Sequence, residues 1–285
     1  MAACVCKSIS KMKYKLFKDN RVALVKLEGI IIDAGNLPVA TKLIDTFESV
    51  KKQGIKAMVL RINSPGGTVG ASQEIYQAIK SLREDGIKVV VSMGDVAASG
   101  GVYVALAADK IIGNPGTVTG SIGVIIRTNV LKDLYKKVGV DHQIIKSGPY
   151  KDILSSMRYF TDEEKAILQD LIDNTYNQFI SAVSEGRNID IEMVKSFADG
   201  RIFTGLQAKE YGLVDETGSL QDAVNLAGKL AGIDKKPEVI EIKPKKTILQ
   251  KITGANVNEI FENMGLSSVY SGVPLWLMPG ININK

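Results

Sequence analysis

The sequence is poor in the residues that build metal centres, disulfide frameworks and histidine-based catalytic sites. Its 285 residues include one histidine, His142, and two cysteines, Cys4 and Cys6, which lie together near the N-terminus. Because no further cysteine or histidine lies near them, the sequence predicts neither a structural zinc site nor a disulfide-stabilised fold. We therefore expect neither a metal nor a cofactor.

The sequence also lacks a strong charge imbalance and an uninterrupted apolar run. The formal net charge is +5, with no dense block of basic residues, which does not indicate nucleic-acid binding. Residues 89–108 contain a single charge, Asp95, but Gly94, Gly100 and Gly101 interrupt them. We interpret this segment as a buried strand and a packed helix, not as a membrane span. Since no signal-peptide hydrophobic region opens the chain, either the protein has no membrane anchor or the anchor is missing from this sequence.

From Arg21 onward the sequence alternates short β-branched runs with helical patterns. This alternation predicts βαβ units and an α/β fold with a mostly parallel sheet. Thr161 precedes Glu164 at the spacing of a capping box, which predicts the start of a long helix. The predicted strands are 22–27, 57–62, 89–92, 110–112, 121–126 and 142–145, and the predicted helices are 39–53, 71–84, 161–185 and 219–231.

Ser99 lies in the segment DVAASGGVYVALA, directly after a predicted buried strand and before an alanine-rich helical pattern. A serine at such a turn is presented for nucleophilic attack, and the N–H of Gly100 then lies beside the attacked carbonyl. The alternative is that the small residues only allow a helix to pack closely on a strand. The pattern alone does not separate these interpretations.

A second glycine-rich element, RINSPGGTVG, follows another predicted strand. Gly66 and Gly67 allow a backbone to approach closely, which suits a second oxyanion donor or the edge that binds a substrate strand. A plain turn is the alternative. A phosphate loop is excluded because Ala71 and Ser72 stand where the nucleotide motif requires lysine followed by serine or threonine.

A third element, SGPYKDI, contains Lys151. A lysine is a general base only when its amine is neutral, and burial against apolar walls lowers a lysine pKa from about 10.4 by several units. Neutral Lys151 could take the hydroxyl proton of Ser99, and Ser121 in TGSIGV could orient the amine. A Ser/His/Asp triad would have to use His142, which no motif brings near a reactive serine.

These elements occur in a fixed order, as RINSPGG, AASGGVYVALAAD, TGSIGV, SGPYKD and GRIFTGLQAKEYGLVDETGSLQDAV. Together they resemble the bacterial signal peptide peptidase A family over most of the chain, from Val22 to about Ala231. The resemblance implies a fold like that of the Clp protease and the crotonases, with repeated ββα units and a largely parallel sheet flanked by helices. The roles that it implies are those of the nucleophile Ser99, the general base Lys151, the lysine-orienting Ser121, and the oxyanion donors Gly66 and Gly100.

We add Gly67, Gly101 and Tyr150 as candidates for lining the substrate groove. Val102 stands where many family members carry a second aromatic residue, which affects the expected pocket shape. We divide the chain into a basic N-terminal extension (1–20), a peptidase domain (21–233) and a C-terminal extension (234–285).

The resemblance further implies a serine endopeptidase that degrades signal peptide remnants and other short apolar peptides, with small and apolar side chains around the cleaved bond. It implies homo-oligomeric rings in which each site is completed at a subunit contact. It also implies membrane association and an extracytoplasmic site, although the missing anchor leaves a cytoplasmic location open.

Two other functions remain to be weighed against a peptidase. A crotonase-like acyl-CoA enzyme would share the glycine-built oxyanion hole but would not need Ser99 and Lys151 together. A catalytically silent scaffold would tolerate the loss of either residue. The presence of both within their motifs favours the peptidase.

The C-terminal extension contains a dense apolar run, SSVYSGVPLWLMPG, which includes Trp276. An apolar run of this kind is unfavourable in solvent. One interpretation is a strand or loop packed on the core of its own subunit. The other is an extended occupant of the substrate groove, in this or a neighbouring subunit.

The sequence assigns no chemistry to the single histidine, which gives a direct test. We expect His142→Ala to retain most of the peptidase activity, measured as turnover of a short peptide. A loss of more than about a hundredfold, the low end for removal of a general base, would instead support a histidine-based triad.

Overall fold

The computed structural model describes residues 20–34, 37–244 and 273–278. The strands within them are β1 (Arg21–Glu28), β2 (Asp33–Ala34), β3 (Leu37–Pro38), β4 (Ala57–Ser64), β5 (Gly66–Thr68), β6 (Lys88–Ala98), β7 (Lys110–Gly113), β8 (Val118–Gly120), β9 (Ile202–Thr204), β10 (Glu216–Thr217), β11 (Glu238–Glu241) and β12 (Leu275–Leu277). The helices are α1 (Val39–Lys52), α2 (Val69–Glu84), α3 (Gly100–Ala105), α4 (Lys132–Lys137), α5 (Asp162–Arg187), α6 (Ile191–Phe197), α7 (Gly205–Glu210) and α8 (Leu220–Leu230).

The main sheet has the strand order β10-β7-β6-β4-β1-β11, and β8 and β9 continue it from the second half of β6. Its strand pairs are parallel except β8 with β9. The segment β4 to α2 is a ββα unit in which the short strand β5 precedes the helix, and in the segment β1 to α1 the short hairpin β2–β3 takes that place. The predicted α/β fold with a largely parallel sheet flanked by helices is therefore confirmed.

Alternate residues of the central strands face two separate apolar layers, as the period of two in a β-strand requires. In β1, Ala23 and Val25 face the larger core, whereas Val22 and Leu24 face a smaller cluster that includes Val224 of α8. Both faces of the sheet are thus covered, which is typical of parallel sheets. This burial explains why β1, β4 and β6 appear in the sequence as nearly continuous apolar runs.

The predicted helices agree with α1, α2, α5 and α8 to within a few residues, and the start of α5 has the predicted capping box. The Thr161 hydroxyl accepts a hydrogen bond from the N–H of Glu164, and the Glu164 carboxylate accepts one from the N–H of Thr161. Residues 89–98 belong to the central strand β6 and residues 100–105 to helix α3, as interpreted from the sequence. Among the described residues, no helix combines the length and apolarity that crossing a membrane demands.

Two predicted strands are wrong. The strand predicted for 121–126 is β8, which lies earlier and ends at Gly120, because Ser121 has a φ of 52° that breaks the extended backbone. Beyond it, Ile125 makes only an isolated bridge. Residues 142–145 form no strand, and the Ile145 side chain is fully exposed, since none of the strands in the described part of the chain pairs with it.

The C-terminal extension contributes more to the fold than its proline-broken sequence suggests. Strand β11 pairs with β1 at the edge of the main sheet. Strand β12 pairs with β5 in a small separate sheet. The extension predicted for 1–20 lies outside the described residues except for Asn20, and the division of the chain into three parts stays a prediction.

Candidate active site

Three of the sequence motifs meet at one edge of the sheet, because each follows the carboxyl end of a parallel strand. The segment RINSPGG leaves β4, Ser99 follows β6, and Ser121 follows β8. Strand β6 lies between β4 and β8, pairing Ala97 with Ser64 and Ala98 with Gly120. The carboxyl edge of a parallel sheet is where α/β proteins place their binding sites.

Ser99 occupies a strained turn between β6 and α3. Its φ of 53° and ψ of −115° lie outside the common regions for a residue with a Cβ, and such strain persists only where the surroundings enforce it. The Ser99 N–H donates to the carbonyl of Gly120 at 2.8 Å, and its carbonyl accepts from the N–H of Tyr103 at 3.0 Å. The side chain is 1% exposed, and its Oγ has no hydrogen-bond partner among the described residues. The hydroxyl is therefore held in a fixed position without a partner that satisfies it.

Ser121 lies beside Ser99 and has the same kind of backbone. It follows Gly120, whose carbonyl accepts from Ser99, and its own φ is 52°. Its N–H donates to the carbonyl of Arg201 at 2.7 Å, which fixes the turn. The two serines predicted to act together thus lie one residue beyond a pair of neighbouring strand ends.

Gly66 and Gly67 form a groove with backbone walls. A Cβ on Gly67 would lie 1.8 Å from the carbonyl oxygen of Ile31, so only glycine allows β5 to run beside Ile31. A Cβ on Gly66 would lie 2.6 Å from the nitrogen of Gly100 and 2.0 Å from the carbonyl oxygen of Trp276. The Gly66 N–H itself donates to Ser64 Oγ at 3.1 Å. The two predicted oxyanion donors are therefore adjacent, and one of them already has an acceptor in this arrangement.

The C-terminal segment lies in this groove as an extended strand. It pairs antiparallel with β5, with Trp276 opposite Gly67. The N–H of Met278 extends this pairing by donating to the carbonyl of Pro65 at 2.8 Å. On the other side of the strand, Leu275 and Ile125 exchange hydrogen bonds, with N–O distances of 3.0 and 3.1 Å. A strand bound through backbone hydrogen bonds on both edges is a general mode of peptide recognition.

The Trp276 side chain fills a pocket beneath the groove and is fully buried. Its ring stacks on Tyr103 of α3, with centroids 4.1 Å apart, and contacts Phe179 of α5 at 4.8 Å. Burying a tryptophan removes roughly 150–250 Å² from water, worth about 4–6 kcal/mol at about 25 cal/mol per Å². The buried indole N–H has no acceptor among the described residues, at a cost of about 1–3 kcal/mol. Apolar burial therefore outweighs the unpaired donor and anchors the segment.

The other predicted site residues lie elsewhere. Gly101 packs inward, where a Cβ would lie 3.2 Å from the carbonyl oxygen of Ser64 and 3.5 Å from Ile62, so it serves helix packing and not the groove. Tyr150 is 47% exposed, and Lys151 is exposed on the same turn. Since Ser99 Oγ has no partner among the described residues, Lys151 does not reach it within one chain.

An ion-pair network holds the turn that carries Lys151. Arg158 donates to the carboxylates of Asp152 and Glu164, and Lys146 donates to Asp152 at 2.6 Å. Hydrogen bonds from Arg158 and then Lys146 hold the pKa of Asp152 below its ordinary value. The Arg158 hydrogen bond is also the main cause that lowers the pKa of Glu164 to about 2. The turn is thereby tied to the start of α5.

Sequence reasoning did not find the aromatic residues of the pocket. Tyr103 is one helical turn beyond Ser99, and that spacing could have indicated a side chain next to the nucleophile. Phe179 has no comparable signal, because it lies on a helix distant in sequence and looks like an ordinary core residue. The apolar run around Trp276 was noticed, and its interpretation as a strand packed on the core of its own subunit is confirmed, because β12 pairs with β5 and Trp276 belongs to the main core. Its interpretation as an occupant of the substrate groove stays a prediction.

Comparison with known proteins gives two family matches. The model of peptidase family S49 matches residues 81–234, and that of the Clp protease family matches residues 19–113. A candidate protease of Synechocystis sp. is 46% identical over 276 residues, covering 93% of this chain and 98% of the relative. A candidate signal peptide peptidase of Enterococcus faecium is 34% identical, covering 73% of this chain and 62% of the relative. A chloroplastic serine protease of Arabidopsis thaliana is 34% identical, covering 81% of this chain and 34% of the relative.

The Glu164 ion pair predicts a pH-dependent part of the stability. The pKa of Glu164 is depressed from an ordinary 4.5 to about 2, so its contribution is complete above about pH 4.5 and is lost as the pH falls toward 2. Glu164→Gln should therefore lower the free energy of unfolding at pH 7, with a smaller deficit at pH 3. Thermal unfolding of both proteins measures this.

The exposed neighbour Glu163 supplies the control, because Glu163→Gln should leave the unfolding temperature nearly unchanged at both pH values. An equal deficit for Glu164→Gln at pH 7 and pH 3 would contradict the ion-pair explanation.

Proposed function

Because the chain belongs to peptidase family S49 and is a serine-type peptidase, we propose that it is an endopeptidase whose nucleophile is Ser99 and whose general base is Lys151. The observation that carries the proposal is the strand in the groove. The Trp276 carbonyl oxygen of that strand lies close to the backbone of Gly66 and Gly100, and Gly100 directly follows Ser99. An extended strand therefore lies at the turn that carries a buried serine whose Oγ has no hydrogen-bond partner among the described residues.

The proposed reaction has two steps. The neutral Nζ of Lys151 takes the hydroxyl proton while Ser99 Oγ attacks the peptide carbonyl, and the departing amine then receives that proton. Water next hydrolyses the ester: Lys151 accepts a proton from the water and returns it to Ser99 Oγ as the ester bond breaks. The N–H of Gly100 supplies charge stabilisation for the oxyanion. The N–H of Gly66 joins it once it is released from Ser64 Oγ, its acceptor in this arrangement. We assign the orientation of the lysine amine to Ser121.

We further propose that Lys151 acts on Ser99 of a neighbouring subunit in a homo-oligomeric ring. Lys151 is exposed in a single chain, whereas a lysine base has to be desolvated to be neutral at working pH. The segment around it, 127–160, also exposes many large apolar side chains, which is unfavourable unless another surface covers them. They are Val130, Leu134, Val138, Val140, Ile144, Ile145, Tyr150 and Tyr159.

The proposed substrates are short apolar peptides, including signal peptide remnants. The apolar lining of the groove supports this choice, because Leu275, Trp276 and Met278 of the bound segment are all nearly or fully buried. The printed name of the Enterococcus faecium relative, a signal peptide peptidase, points the same way. An acyl-CoA function is less well supported, since neither matching family is named for one.

Removal of either dyad residue should abolish turnover while the protein remains folded. We expect Ser99→Ala and Lys151→Ala each to lower the peptide cleavage rate by at least about a hundredfold, because each removes a group that participates in the chemistry. Peptide cleavage by mass spectrometry and thermal unfolding measure the two properties. Substantial turnover by either variant would remove that residue from the mechanism.

Mixing these two variants tests whether the dyad is shared between subunits. In an oligomer assembled from Ser99→Ala and Lys151→Ala chains, intact Ser99 of one chain can meet intact Lys151 of another. Activity should therefore return on co-assembly, although neither variant is active alone. If the co-assembled oligomer stays inactive, the two residues act within one chain.

A further inference from the structure

The base of the proposed reaction lies on a turn that takes no part in the apolar core. Residues 148–155 form successive turns, in which the Lys151 N–H donates to the Gly148 carbonyl at 3.3 Å and the Ser155 N–H to the Asp152 carbonyl at 2.9 Å. In the described part of the chain, none of their side chains belongs to an apolar core cluster. Because a general base has to lie within about 3 Å of the proton that it takes, such a turn needs another source of order.

Arg158 supplies this order through a guanidinium group that binds two carboxylates at once. Its Nε donates to Asp152 Oδ2 at 3.0 Å and its Nη2 to Asp152 Oδ1 at 2.8 Å, so the pairing with the residue next to Lys151 is bidentate. On its other side, Nη1 donates to Glu164 Oε2 at 2.6 Å, and Nη2 also donates to Glu164 Oε1. A planar fork of this kind fixes orientation as well as distance.

Glu164 is the fixed end of this arrangement. Its side chain is almost fully buried in the first turn of α5, where it also accepts from the Thr161 N–H at 2.9 Å. Helix α5 is itself anchored in the main core, for example by the fully buried Phe179. A buried carboxylate requires a cation, and Arg158 is the cation that pairs with it. The contacts therefore run from the core through α5 to Arg158 and on to Asp152.

A second cation completes the binding of Asp152. Lys146 donates to Asp152 Oδ1 at 2.6 Å and to the Pro149 carbonyl at 2.8 Å, which closes the turn from its other side. In the described part of the chain, Asp152 forms ion pairs with these two cations and none with Lys151. A free carboxylate beside the Lys151 amine would favour its protonated form, which cannot act as a base. The network thus orients the turn and also occupies the neighbouring carboxylate.

We propose that Arg158 is a positioning residue: by binding two carboxylates at once, it holds Lys151 in place for proton transfer. The proposal rests on the proposed function. Because the proposed partner of Lys151 is Ser99 of a neighbouring subunit, Arg158 acts in the chain that supplies the lysine and not in the chain that supplies the serine. Arg158 takes no part in the chemistry itself, so its loss should slow proton transfer and leave peptide binding unchanged.

The first experiment measures kcat and KM separately with a short peptide. Arg158→Gln should lower kcat by roughly tenfold or more and leave KM within about twofold, since misplacing a reacting group by about 1 Å costs up to about a hundredfold in rate. Lys165→Gln is the matched control and should match the wild type, because it removes a cation from the same turn of α5, where Lys165 pairs with the exposed Asp162. A wild-type kcat for Arg158→Gln, or a change in KM alone, would overturn the positioning role.

Two further variants separate position from charge. Arg158→Lys keeps the charge but has no fork that spans both carboxylates, so its kcat should stay low. Asp152→Asn weakens the same contact, so the double variant Asp152→Asn/Arg158→Gln should be little worse than Arg158→Gln alone. Recovery of the wild-type kcat by Arg158→Lys, or two losses that simply add, would show that the fork does not position the base.

The second experiment places the variant in one partner of a mixed oligomer. Ser99→Ala chains supply the lysine, and Lys151→Ala chains supply the serine. Adding Arg158→Gln to the Ser99→Ala chain should lower the activity that co-assembly restores by about the factor seen in kcat, whereas adding it to the Lys151→Ala chain should change little. Damage to folding or assembly would affect both placements alike, so equal losses would overturn the positioning role.

These readouts separate the inference from the function on which it rests. If Ser99→Ala and Lys151→Ala are inactive while Arg158→Gln has the wild-type kcat, the peptidase mechanism stands and the positioning role is overturned. If Ser99→Ala or Lys151→Ala retains substantial turnover, the proposed function is overturned and the inference with it. If mixing these two variants restores nothing, the dyad lies within one chain, and the kcat values of the single variants decide the role of Arg158.

Discussion

The close approach of backbones at Gly66 and Gly67 is the constraint on which the rest of the site depends. Gly67 lets β5 run directly beside Ile31, where any Cβ would overlap the Ile31 carbonyl oxygen. Because Gly66 has no Cβ, the carbonyl of a bound strand and the backbone nitrogen of Gly100 can both lie close to it. Without side chains on these two residues, an extended peptide forms backbone hydrogen bonds instead of meeting steric walls. The groove is thus one edge of strand β5, at which a further strand can pair through backbone hydrogen bonds.

The serines beside this groove are held in strained conformations by hydrogen bonds to their neighbours. Ser99 and Ser121 both have positive φ values, which cost about 1–3 kcal/mol each for residues other than glycine. The bond from the Ser99 N–H to the Gly120 carbonyl joins the two turns, so the strain at each site is shared by one rigid unit. The burial of β6 on both faces provides the stability that supports it. Because each serine directly follows a strand in a hydrogen-bonded turn, its position is fixed by the sheet and not by a long loop.

Much of the scaffold could be predicted from sequence, because buried parallel strands and amphipathic helices leave strong local patterns. The run at 89–92 predicted β6, and the capping box at Thr161 predicted the start of α5. The strand predicted for 142–145 was wrong since Ile144 and Ile145 have the composition of a strand but no strand to pair with among the described residues. The motif order led to Ser99, Ser121 and the glycines, and the structure places them at one edge of the sheet. The place of Phe179 in the pocket and the exposed position of Lys151 depend on tertiary packing that no local pattern encodes.

The central claim is that Ser99 is the activated nucleophile of a groove that binds an extended peptide. A fluorophosphonate probe tests it most directly, since it forms a covalent adduct only with an activated serine. Peptide mapping of the labelled full chain should find one adduct, on Ser99, and labelling should slow when a peptide that binds the groove is added. An adduct on a different serine, or labelling of Ser99 that such a peptide does not slow, would contradict the account.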